Sequence, residues 1–275
     1  MTAPTPFPRH WLWCLLLALP LAAPAADDVA QAWRLVADHL NRDAAARLAG
    51  SREPRTRERR LAEAAVAIDR QPVTQENLRA AEAELAALAE GDDEIAAEAG
   101  YLRGRLHQVH FQQIDLPRAA ALYRELADRQ PHSHWAQLGL VKLGVLILYA
   151  LPEPGDPAGR VAAAAALRPR LEEKELVRDL NLQLGRAVLF YELPPAQALP
   201  YLVAADRAGG LIGQAYEDLI VMIGEISIRT GDYPQARAYL ERYVREVSYN
   251  MRVVTVRRRL EELTALEQAA REGRR

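Results

Sequence analysis

Apolar positions recur at intervals of three and four along almost the whole chain, the spacing that lines one face of an α-helix, and no run alternates as a half-buried strand would. Val29, Trp33, Val36 and Leu40 fall on one face of a first segment, Asp28 to Leu48, that ends near Gly50. Ser51 to Arg60 is charged and reads as a solvated linker in which Pro54 can open a helix; Leu61, Ala64, Val66 and Ile68 continue that helix to about Arg70. Leu138 to Leu151 is apolar nearly all round, which predicts a helix buried on more than one side. It is too short for a membrane span, contains Lys142 and stops at Pro152.

The clearest unit is Tyr216 to Tyr243. Leu219, Ile220, Ile223 and Ile226 predict one helix, Gly231 ends it, Asp232 can cap the next, and Pro234 is tolerated in its first turn. Gly224 leaves a gap at which small Ala236 can pass. A related acid-x-Pro-x-Ala pattern occurs at Asp115 to Ala119, Glu192 to Ala196 and Asp232 to Ala236, shortened at Asp156-Pro157-Ala158. The acids lie 41, 36 and 40 residues apart, a period that means stacked helical hairpins.

With Gly224, the Gly-Asp-Tyr turn, Ala236, Leu240 and Tyr243, the last unit resembles the tetratricopeptide repeat. Gly104, Tyr123 and Pro131 carry the resemblance in an earlier unit, and Leu184, Gly185 and Tyr191 in a later one. The expected fold is therefore all-α, an α-solenoid of tetratricopeptide-like hairpins. Residues 26–55 form an N-terminal helix and linker, and residues 56–248 form five hairpins at about 56–90, 93–130, 133–170, 173–208 and 211–247. Residues 249–275 form a capping helix and tail, with Val253, Val256, Leu260 and Leu263 on one face.

The N-terminus alters the picture of where the chain works. Arg9 and His10 precede an apolar run, Trp11 to Leu21, that ends in Ala23-Pro24-Ala25, the small-x-small pattern of a secretory cleavage site. Residues 1–25 are expected to be a signal peptide, with the exported, periplasmic chain starting at Ala26 and carrying no transmembrane span. Cys14 is the only cysteine, so cleavage leaves no disulfide, no thiolate nucleophile and no cysteine-bound metal. Removing Arg9 from 35 basic residues leaves 34 against 37 acidic ones, a balance that argues against nucleic-acid binding. Arg-rich, Lys-poor and Ala-rich usage points to a GC-rich bacterial genome.

Candidate chemistry is sparse. His107 and His110, with His132 and His134, could place four imidazoles near one another, but no acid accompanies them in a ligand pattern, so no metal and no cofactor is expected. There is no His-Glu-x-x-His, no Gly-x-Ser-x-Gly and no phosphate-cradling loop. Acids such as Glu172 and Glu173 lie in charged helix ends, and none stands in an apolar context that would raise its pKa. The expectation is a non-catalytic scaffold of the cell envelope that binds a protein or peptide, with no catalytic residue; the alternative is a peptidoglycan-acting enzyme. The resemblance implies a groove lined by the first helix of each hairpin. It assigns Tyr101, Arg105, Gln108 and Phe111, then Arg178 and Asn181, then Asp218, Val221, Glu225 and Arg229 as partner-binding positions.

Overall fold

A computed structural model describes residues 27–247, 249 and 251–272. The expected leader at residues 1–25 and the cleavage site before Ala26 lie outside the described residues. Among the described residues there are thirteen α-helices and no strand. They are α1 (Asp28–Ala37), α2 (Asn41–Gly50), α3 (Arg57–Asp69), α4 (Gln75–Leu88), α5 (Glu94–Arg105), α6 (Leu116–Arg129), α7 (His134–Tyr149), α8 (Pro157–Ala165), α9 (Lys174–Phe190), α10 (Leu199–Ala208), α11 (Gly213–Arg229), α12 (Tyr233–Glu246) and α13 (Arg252–Glu272). None of them is long and apolar enough to cross a membrane.

Helices pack in consecutive pairs, α1 with α2 through α11 with α12, and α13 lies on α12. The turn pattern seen in the sequence acts as a set of helix starts. Asp115, Asp156 and Asp232 accept hydrogen bonds from the N–H groups of Arg118, Gly159 and Gln235, and a proline occupies the first turn of each helix they open. Thr56, Thr74, Asp93 and Ser133 cap α3, α4, α5 and α7 in the same way. Each such cap contributes about 1 kcal/mol. Glu192 departs from the pattern: it caps nothing and takes φ 55°, and the chain reaches α10 through a tight turn at Pro195–Gln197.

Close approach within pairs depends on glycine. A methyl group on Gly224 would stand 2.6 Å from Leu240 Cδ2 and 3.7 Å from the Ala236 carbonyl oxygen. Gly185 repeats this with Leu202 and the Ala198 carbonyl. Gly104 lies under the Tyr123 ring.

One segment differs from the sequence-based expectation. Asp28 to Leu48 is not one helix but two, broken at His39, which takes φ 60°. Leu40, counted on the apolar stripe, stays 47% exposed just after that break, while Val29, Ala32, Ala44 and Leu48 bury against Ala62 and Val66 of α3. The all-apolar α7 is surrounded by α5, α6, α8 and α9 and buries Leu140, Leu143, Leu146, Ile147 and Leu148, yet one stripe of it stays open.

Candidate functional site: a face on α5, α7 and α9

Because α7 is enclosed by four neighbours, its residual exposure falls on a single line. Trp135, Leu138, Lys142 and Val145 are half-buried and Tyr149 is 38% exposed, each three or four residues from the last. Equivalent lines run beside it, through Glu94, Glu98, Leu102 and Arg105 on α5 and on to Gln108 in the turn that follows, and through Glu175, Asp179, Gln183, Arg186 and Phe190 on α9. Residue numbers rise together across the contacts, so the three helices run parallel. Tyr101 meets Trp135 at 5.4 Å between ring centres, Lys142 feels Asp179, and Tyr149 meets Phe190 at 5.6 Å, edge to face.

Charge and apolar surface are sorted along this face. At the start of α5 burial pushes the Glu98 carboxyl up to about 7, with Glu94 and Glu58 adding to the shift. An acid in an environment that raises its pKa is thus present, contrary to the sequence reading; it was hidden because the burial that raises it is created by packing between helices. Midway, burial and the nearby Arg105 guanidinium lower the Lys142 pKa, and Asp179 opposes them. Arg105 donates to Gln108 Oε1 at 2.9 Å, an oxygen that also accepts from the buried Tyr123 hydroxyl at 2.8 Å. At the far end Tyr149, Phe190 and Tyr191 form an aromatic cluster in which Phe190 is 68% exposed.

Of the positions expected to line a groove, Arg105 and Gln108 lie on this face. Tyr101 is only 8% exposed and sits in the core between Tyr123 and Trp135, so Trp135 presents the open ring instead. Phe111 is turned away: a wide π-helical turn, Leu106–His110, adds a residue and rotates the chain, and Phe111 packs on His107 beside α4. Arg178 is mostly covered and donates to the Asp179 carboxylate and the Gly209 carbonyl. Asn181 is fully buried and donates to the Val177 carbonyl; the partly open positions nearest it on α9 are Asp179 and Gln183. On α11, Asp218 and Glu225 are paired with Arg252 and Arg259 of α13, and Val221 packs in the same cluster as Val253 and Val256. The terminal helix thus occupies the positions assigned there, and Arg229 remains exposed beyond it.

The histidines do not gather. His107 hydrogen-bonds with Glu82 at 2.7 Å and His110 lies 3.5 Å from Asp69, while His132 and His134 pair with Glu172 and Glu173. Among the described residues no group of three or more His, Cys, Asp or Glu is arranged to hold a metal ion.

Trp135, Lys142, Tyr149 and Phe190 escaped the sequence reading, although one signal for the first three was available. Lys142 is the single charge inside an apolar helix, and Trp135 and Tyr149 stand seven residues to either side, on the same face. No protein-family model matches the chain, and no match is found among characterised proteins.

Proposed function

We propose that the protein is a non-catalytic binding module of the bacterial cell envelope, a tetratricopeptide-like solenoid capped by α13, which holds an extended polypeptide along the face of α5, α7 and α9. The observation that carries this reading is the open stripe Trp135, Leu138, Lys142, Val145 and Tyr149 on a helix otherwise enclosed by its neighbours. A helix so well covered elsewhere has no packing reason to leave indole, phenol and aliphatic surface in water, and contiguous apolar surface of this kind marks interaction sites. Arg105, Lys142 and Arg186 beside Glu98, Asp179 and Glu175 offer both charge signs, which suits a polypeptide better than a polyanion. The apolar run before Ala26 supports export.

A photo-reactive residue in place of Leu138, expressed in the bacterial envelope, tests the reading. Cross-linking to a polypeptide that is lost when Lys142→Glu is added supports it; cross-linking only from the opposite helices, α6 or α8, removes this face from consideration. The Glu98 carboxyl, pushed up to about 7, favours one second reading, a peptidoglycan-acting enzyme with Glu98 as proton donor. Release of soluble fragments from purified peptidoglycan, abolished by Glu98→Gln, would carry that reading in place of the first.

A further inference from the structure

The order of chemistry along the face narrows the kind of polypeptide it fits. Most arginines that join helices are neutralised: Arg60 by Glu84, Arg242 by Asp206, Arg237 by Glu267. Arg105 and Lys142 are different. The Tyr123 ring lies against Gly139 of α7 and its hydroxyl bonds Gln108, to which Arg105 donates, so Arg105 stands beside α7 and its charge bears on Lys142; among the described residues neither cation forms an ion pair, and Asp179 acts on Lys142 from a distance. Two cations held side by side on a half-buried surface are complementary to an incoming carboxylate.

Spacing supplies the rest. Glu98 and Arg105 are seven residues apart on α5, and Lys142 and Tyr149 are seven apart on α7, so each step is about 10 Å along the helix axis. An extended chain covers that distance in about three residues. We infer that the occupant is a polypeptide segment offering a basic side chain, a carboxylate and an aromatic or large aliphatic side chain at three-residue spacing. Glu98, Arg105 with Lys142, and the Tyr149–Phe190 edge receive them in that order. This rests on the polypeptide-binding reading above and adds its sequence preference. The carboxylate is an internal Asp or Glu side chain, because the face continues past the cation pair to the aromatic cluster.

The test is calorimetric titration of the full mature chain with Lys-Ala-Ser-Glu-Ala-Ser-Phe and with the same residues in reverse order, both acetylated and amidated. Binding of either is expected. Moving Glu next to Lys should weaken it at least tenfold, as should the double variant Arg105→Glu with Lys142→Glu. Replacing the peptide's Glu by Lys should restore binding to that variant, which an unfolded or merely distorted variant could not do. Equal binding of the displaced peptide would overturn the spacing. Tighter binding of Lys-Ala-Ser-Ala with a free carboxyl end would overturn the internal carboxylate. Should a randomised peptide library yield binders of another pattern that protect Leu138 from cross-linking, this inference falls while the polypeptide-binding reading stands. A library that yields no binder brings down both.

Discussion

Gly224 rests against Leu240 so closely that even a methyl group would come within 2.6 Å of Leu240 Cδ2. The contact joins α11 to α12, and Leu240 is fully buried among Ile220, Ala236 and Tyr243. A bulky residue here cannot be absorbed by moving one flexible side chain. Gly224→Leu should destabilise the protein by about 1–3 kcal/mol through overpacking. Gly185→Leu, facing Leu202 in the same way, should do likewise. Melting of both variants at the parent temperature would show that these pairs do not pack as described.

Glu98 makes stability depend on pH in an unusual direction. Its carboxyl is raised from an ordinary value of 4.5 to about 7 by burial first and then by Glu94 and Glu58. The folded state therefore holds a proton that the unfolded chain releases between those values, so this group's contribution to stability falls as pH rises through that window. Above pH 7 the folded state carries the full cost of the ionised group. Glu98→Gln should stabilise the protein by about 1–2 kcal/mol at pH 8, after allowance for partial solvent screening, and by little near pH 4. Urea unfolding of the two proteins across pH 4 to 8 measures the difference; a constant difference would place Glu98 in water.

Tyr101 and Trp135 should separate packing from binding. Tyr101 lies in the core, so Tyr101→Ala should cost about 3 kcal/mol of stability or more. Trp135→Ala removes a half-open ring and should cost less, while weakening polypeptide binding at least tenfold, about 1.4 kcal/mol. Denaturation and titration of both variants check the split. The reverse outcome would exchange their roles.

The terminal helix should act as a cover. Val253, Val256 and Leu263 are buried against Leu240, Tyr243 and Val247, and Glu267 pairs with Arg237. Ending the chain after Val247 should expose that cluster and produce self-association, visible in light scattering, with a lower melting temperature. Arg259→Glu, which breaks the pairing with Glu225 at the surface, should cost no more than about 1 kcal/mol, and less in high salt.

How much of this could be read from the sequence depended on the range of the interaction involved. The starts of α6, α8 and α12 were legible because the cap, the proline and the helix lie within a few residues of one another. Glu192 shows the limit: it carries the same local pattern, but the chain there takes a left-handed turn and caps nothing. The site was less legible, since exposure is decided between helices. Tyr101 lost its place to Trp135 through contacts made by α6 and α7, and Phe111 lost its place to one extra residue in a π turn. Asp218 and Glu225 pair with a helix that begins more than twenty residues later in the chain.

That same sequence range has a mechanical meaning. Among the described residues, side-chain hydrogen bonds reach at most 43 positions along the chain, from the Tyr191 hydroxyl to the Leu148 carbonyl. Other cross-links are shorter still: Arg129 to Ala89, Arg170 to Asp128, Arg242 to Asp206. Among the described residues no such bond ties the first helices to the last, so none of these elements must wait for a remote partner to find it. Pulled from α1 and α13, the described part has no single clasp whose rupture releases everything. The expected response is unfolding in successive steps of about one helix pair, each able to re-form on the neighbours still in place.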